Sequence, residues 1–164
     1  MDNEARRGGT IRRVKPDRRH NDRRDPEERR RLPEDRSVRK ILITGDRNWS
    51  DVQSIVEALK VYRPGTILVH GACKGADNTC AVVAETLGFI VRGYPADWSK
   101  HGRAAGPIRN QLMIDTENRQ DEPLDECLVF HDNLESSKGT ADMVRRVIVA
   151  CIPYVVHHST STGA

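Results

Sequence analysis

The chain has 164 residues, of which 37% are apolar, 31% charged and only 4% aromatic, a size that suits one domain. Its formal charge of +3 is unevenly spread: residues 1–40 carry 15 Lys+Arg against 9 Asp+Glu, and residues 41–164 carry 12 against 15, so the body is mildly acidic. No stretch approaches the roughly 18 consecutive apolar residues of a membrane-spanning helix, and the N-terminus lacks the apolar core of a signal peptide; a cytoplasmic protein with no membrane partner is expected.

In chain order, residues 1–37 read as a disordered basic tail. Arginine pairs recur (Arg6-Arg7, Arg12-Arg13, Arg18-Arg19, Arg23-Arg24, Arg29-Arg30-Arg31) around Pro16, Pro26 and Pro33. With almost no apolar residues, this stretch buries too little surface to offset its ordering entropy. Arg-rich segments can bind nucleic acid through its phosphates; a solvated linker whose interspersed acids blunt the field is the competing reading.

From Arg39 the texture changes. Lys40–Thr44 is a short apolar run that ends at Gly45, as a buried parallel strand does. Asp51–Tyr62 has apolar residues at helical spacing and stops at Pro64-Gly65. Thr66–His70 is a second strand and Ala76–Leu87 a helix closed by Gly88. Phe89–Tyr94 is a third strand, followed by a polar loop and a helix over about residues 107–115 in which Leu112 and Met113 are expected to face the sheet. Glu126–His131, Gly139–Ala150 and Ile152–Val156 complete the set as strand, helix and strand.

Strands alternating with helices at this spacing predict an α/β domain over residues 38–157, a Rossmann-like parallel sheet of about five strands with helices on both faces. Residues 158–164 are expected to be a flexible C-terminal tail. Cys73, Cys80, Cys127 and Cys151 form no compact ligand pair, so neither a metal nor a cofactor is expected.

Ligands of such sheets bind at the carboxyl ends of the strands, which directs attention to four loops. After the first strand, Gly45 permits a tight turn and Arg47 can offer a bidentate contact to phosphate or carboxylate, or can pair with Asp46 or Asp51. After the second, Gly71 and Gly75 lie four apart before a helix. Asp77 in the first turn competes with an anion for the same amides, which suits a ribose hydroxyl or a base edge better than a phosphate; helix capping is its alternative role. The third loop carries Asp97, Trp98, His101 and Arg103, and Pro107 then sets Arg109 and Asn110 in the first turn of a helix. After the fourth strand, Gly139-Thr140 at a helix start offers amides, a hydroxyl and a positive dipole end, either as an anion site or as an ordinary cap.

Thr44-Gly-x-Arg-x-Trp49, His70-Gly-x-x-x-Gly-Ala-Asp77, Pro95-Ala-Asp-Trp98, His101-Gly-Arg-Ala-Ala-Gly-Pro-x-Arg-Asn110 and Gly139-Thr-Ala-Asp142 occur in this order. Together they resemble the YspA/cpYpsA-related branch of the SLOG superfamily, found in bacteria and their phages. The resemblance covers about residues 39–156 and implies a Rossmann-like sheet, a pocket for a nucleotide or nucleotide-derived ligand, and a homo-oligomer. In the enzymatic LOG-type relatives, an Arg before the fourth strand and a PGGxGTxxE segment after it serve N-glycoside hydrolysis of nucleoside monophosphates. By that likeness Arg109 and Gly139-Thr140 match, whereas Glu135-Ser136-Ser137 replace Pro-Gly-Gly and Met143 stands where the catalytic Glu would be. Asp142 lies one residue earlier, about 100° around a helix.

Three functions are therefore carried forward. The leading one is a sensor, carrier or sequestering module for a nucleotide-like small molecule, held by Gly45, Arg47, Gly71, Gly75, Asp77, Arg109, Asn110, Gly139 and Thr140. The second is N-glycoside hydrolysis, with Arg109 steadying the leaving nucleotide and Asp77, Asp97 or Asp142 supplying a carboxylate. The third is a nucleic-acid-associated module that uses the basic tail.

Overall fold

A computed structural model describes residues 38–160; the basic tail expected over 1–37 lies outside the described residues. The elements run β1 (Lys40–Gly45), α1 (Val52–Leu59), β2 (Ile67–His70), α2 (Ala76–Thr86), β3 (Ile90–Gly93), α3 (Trp98–His101), α4 (Ala105–Glu117), β4 (Glu126–Phe130), α5 (Lys138–Val149) and β5 (Tyr154–His157). All strand pairs are parallel, in the order β3-β2-β1-β4-β5. The chain moves from β1 outward through β2 to β3, then crosses back to place β4 on the other side of β1. That reversal puts the topological switch point between β1 and β4.

Alternation along the strands divides the core into two layers. Ile41, Ile43, Leu68, Leu128 and Phe130 point to one face, where Ile55 and Leu59 of α1 and Cys80 and Ala84 of α2 cover them. Leu42, Ile67, Val69, Cys127 and Val129 point to the other, under Met113 and Ile114 of α4 and Met143, Val144 and Val147 of α5. Trp49 is a packing residue: its ring stands edge-on to Phe130 at 5.7 Å and its indole N–H donates to the Asp51 carbonyl.

The helices begin and end for local reasons. The Asp51 carboxylate accepts the Ser54 amide at the start of α1, and Ser137 does the same for Thr140 at the start of α5. Gly88 ends α2 at a φ of 77°, a conformation that would strain a side-chain-bearing residue. Two expectations need correction. Leu112 faces solvent, because successive residues on a helix point about 100° apart and Met113 takes the core position. The last strand starts at Tyr154 rather than Ile152, since Cys151 turns at φ 55° and Ile152 is spent on the core below the sheet.

Residues 158–160, assigned from sequence to a terminal tail, are tied back onto the domain. Ser159 donates through its amide and hydroxyl to Asp132, and Thr160 does likewise to Asp51. No helix among the described residues is long and apolar enough to cross a membrane.

At the amino end of β1 lies a buried ionic cluster. Lys40 Nζ sits 3.0 Å from Glu117 Oε2 and donates to the carbonyls of Glu117 and Glu122. Arg92 and the Tyr94 hydroxyl also donate to Glu117, so α4 is clamped to β1 and β3 at once. Burial opposes ionisation of Glu117, but hydrogen bonds from Tyr94, Lys40 and Arg92 outweigh it and hold the carboxyl below its usual range. Burial, helped by Glu117, pushes the Tyr94 phenol up to about 12. Removing one partner of a buried pair leaves the other charge uncompensated. Glu117→Ala should therefore cost about 3–5 kcal/mol in urea unfolding, whereas breaking the solvent-screened Arg119–Asp121 pair with Asp121→Ala should leave the midpoint nearly unchanged; similar losses at both sites would contradict the cluster's structural role.

Candidate functional site

A cleft of about 600 Å³ opens over the switch point. Its walls come from the loops after β1 (Gly45–Asn48), β2 (Gly71, Cys73, Asp77) and β4 (His131, Ser136–Thr140), and from α3, α4 and the turn between them. A second, adjoining pocket of about 450 Å³ shares Arg47, Gly71, Cys73, Trp98 and Arg109 and runs on to Lys74 and Pro95. Both volumes lie in the range of small-molecule sites.

Arg109 joins the parts. Its side chain is buried; Nη1 donates to the carbonyls of Gly71 and Tyr94, Nε to Asn110 Oδ1, and Nη2 faces the Cys73 sulfur at 3.5 Å. Asn110 continues the chain of contacts, donating to Asp142 at 2.9 Å and to the Gly139 carbonyl at 3.4 Å. A buried guanidinium thus links the end of β2 to the start of α5, and both pockets retain an edge of it.

The glycines predicted for ligand approach divide by their surroundings. A Cβ on Gly45 would lie 2.6 Å from both Ala76 Cβ and the Phe130 carbonyl oxygen, so this glycine lets α2 pack on the strands. A Cβ on Gly71 would strike the Arg109 guanidinium. Gly75 does not line the cleft; its φ is 75°, and a Cβ there would run into the backbone of Asp46 and Arg47. Gly139 differs from all three: its φ is outside the left-handed region, and a Cβ would meet nothing within 4 Å. Bare backbone faces the cleft there without any internal packing need.

Thr140 also lies on the cleft wall, but its hydroxyl is occupied, donating to the Gly45 carbonyl and accepting from Ser137, each at 3.0 Å. It straps the start of α5 to the end of β1. The amides of Lys138 and Gly139, in the first turn of α5, have no acceptor among the described residues.

Among the acids, Asp97 caps α3, with its carboxylate accepting the Lys100 amide, and does not line the cleft. Asp142 is neutralised in place: burial raises its pKa, but hydrogen bonds from Arg146 and Asn110 prevail and hold it below the usual range. Met143, at the position of the LOG-type Glu, is buried in the core. Asp77 is the acid that organises the β2 loop. Its Oδ2 accepts the Gly71 amide at 2.9 Å, and burial pushes its pKa up to about 6 against the pull of Arg109 and of the Cys73 and Gly71 amides.

Sequence reasoning left several cleft residues unassigned. Trp98 is half exposed and carries the Arg47 guanidinium 5.8 Å from its ring centroid, an apolar plate with a cation on it. Arg103 and Lys138 add positive charge. His131 is buried and lines the cleft; its Nδ1 accepts the Asn133 amide at 3.0 Å, as the Nδ1 of His70 accepts that of Ala72 at 3.1 Å. A repeated strand-terminal histidine was the available signal, visible as Val69-His70 and Phe130-His131.

The model of the YAcAr family, described as "YspA, cpYpsA-related SLOG family", matches residues 39–101, the span from β1 through α3. The Gene 61 protein of Mycobacterium phage D29 is 35% identical over 127 residues, which is 72% of this chain and 95% of that protein.

The state of Asp77 is open to direct test. A carboxyl whose pKa is higher in the fold than unfolded contributes stability that is complete below the unfolded pKa and is lost as pH rises through the folded one. The window here runs from about pH 4 to pH 6. Asp77→Asn keeps an acceptor for the Gly71 amide and has no proton to lose. Between pH 4 and pH 7 the wild type should fall relative to this variant by about 2–3 kcal/mol in urea titrations; parallel pH profiles would refute the raised pKa.

Proposed function

The chain belongs to the YspA/cpYpsA-related SLOG family, and we propose that its cleft binds a nucleotide or nucleotide-derived ligand as a sensor, carrier or sequestering module. The observation that carries this reading is the bare Gly139 backbone, open to the cleft at the first turn of α5 beside two unpartnered amides. A phosphate-sized anion suits that turn, because the amides and the helix dipole both favour negative charge. The cleft's cations, Arg47, Arg103, Arg109 and Lys138, face Asp46, Asp77 and an Asp142 already matched by Arg146. The Trp98 face with Arg47 on it offers a surface for a planar base.

Binding also fits the chemistry better than turnover does. Hydrolysis of an N-glycoside wants a free carboxylate near the anomeric carbon, and Asp142 is committed to Arg146 and Asn110. One observation favours the enzymatic reading: Asp77 lines the cleft with a pKa raised to about 6, suited to donating a proton near neutral pH.

Calorimetry against nucleoside monophosphates and signalling nucleotides should find at least one ligand tighter than about 1 mM, that is, beyond about −4 kcal/mol. Gly139→Ala should weaken that ligand at least tenfold while leaving thermal stability unchanged or slightly raised, since a strain-free Gly→Ala change gains about 0.4–1 kcal/mol. Unaltered affinity in Gly139→Ala would move the ligand away from α5. For the enzymatic reading, chromatography of nucleoside monophosphates after prolonged incubation should show free base whose release is abolished in Asp77→Asn; no release by wild type removes that reading.

A further inference from the structure

Three buried side-chain polar atoms among the described residues have no hydrogen-bond partner: Thr66 Oγ1, His131 Nε2 and His157 Nε2. Thr66 precedes β2 at the opposite end of the sheet from the cleft, and His157 lies stacked on Phe130 at 4.9 Å. Only His131, of these three, lines the cleft.

The chemistry of that imidazole is set by its surroundings. Nδ1 accepts the Asn133 amide, so the ring proton resides on Nε2, which is a donor. His131 is 2% exposed, and the cleft also exposes Met113 and Met143, which belong to the core layer beneath α4 and α5. A desolvated N–H without an acceptor is costly, and the tautomer that would relieve it is blocked by the Asn133 amide. His131 directly follows β4, where Phe130 stands in register with Gly45. It therefore sits at the switch point, with the first turn of α5 on the same cleft wall.

We propose that His131 is a ligand-reading residue whose Nε2–H donates to a phosphate oxygen seated on the Lys138 and Gly139 amides. The proposal rests on the nucleotide reading for the rest of the ligand but names a contact of its own. A fixed neutral donor discriminates an oxygen acceptor from a donor group at the same place, which charged Arg and Lys side chains do less sharply because they also attract at a distance. Bringing an acceptor to an already desolvated donor removes a cost the free protein carries, so the phosphate-bearing form of a ligand gains over the phosphate-free form.

The test compares His131→Gln with His131→Phe. Both lose the Nδ1 contact to Asn133, but only the Gln side chain keeps an N–H donor at its far end. Thermal melts of both variants establish that they fold. With AMP and adenosine as probes, His131→Phe should weaken AMP by roughly 10- to 150-fold, His131→Gln by only a few-fold, and adenosine should bind both alike. In the free wild-type protein, the His131 Nε2–H resonance should shift on titration with inorganic phosphate. Equal effects of the two substitutions on AMP and adenosine, or a resonance unmoved by phosphate and by AMP, would overturn the proposal. If wild type binds adenosine and the 5′-phosphate adds no affinity, the phosphate contact fails while the nucleotide reading stands. If the protein binds inorganic phosphate through His131 but no nucleoside, the nucleotide reading fails instead.

Discussion

The side chain of Arg109 is the interaction around which the cleft is assembled. Burying a guanidinium is costly unless its five N–H groups find acceptors, and here the carbonyls of Gly71 and Tyr94, the Asn110 amide oxygen and the Cys73 sulfur supply four. Meeting that demand fixes the loop after β2, the loop after β3 and the first turns of α4 relative to one another. Asn110 then passes the constraint to Asp142 and Gly139 on α5. The α5 N-terminus is thus held over the switch point both through Arg109 and Asn110 and by the Thr140 strap to Gly45.

Asp77 completes the same logic with opposite sign. In a phosphate-binding loop the amides after the strand would face a bound anion; here the chain supplies its own anion, since Asp77 accepts from Gly71 and Cys73. That side of the cleft is electrostatically satisfied without ligand, whereas the α5 side keeps two unpartnered amides, an open Gly139 and the His131 N–H. The cleft is asymmetric for this reason. An acidic or neutral polar group is drawn to α5, and a hydroxyl or base edge suits the acceptor side at Asp77.

The ionic cluster at the far end of α4 works against drift of this arrangement. Glu117 is held by Lys40, Arg92 and Tyr94, and Tyr94 also gives its carbonyl to Arg109. One helix is therefore pinned at both ends, by its first turn to the cleft loops and by its last to β1 and β3. A pinned helix favours a site formed in advance of binding, which lowers the ordering cost that a ligand must offset.

Much of this was legible in the sequence. Short apolar runs ending in glycine, helical periods between them and the Gly88 stop specify parallel strands and crossover helices, because backbone pairing and burial on both faces leave few other arrangements. The motifs likewise marked Arg109, Asp77 and Gly139. What sequence spacing does not carry is the partner of each group. Gly45, Gly71, Gly75 and Gly139 look alike in one dimension; only packing shows that the first three make room for Ala76, for Arg109 and for the Asp46–Arg47 backbone, while Gly139 faces open space. Asp142 reads as a candidate carboxylate for hydrolysis until Arg146 and Asn110 are seen to hold it, and Thr140 as an anion ligand until its hydroxyl is found on Gly45. His131 passes for a strand-end residue until it is found lining the cleft with a buried, unpartnered Nε2. Local patterns determine which elements form, because propensity and periodicity are short-range; which polar groups stay free for a ligand depends on contacts between residues far apart in the chain, and only the tertiary structure decides that.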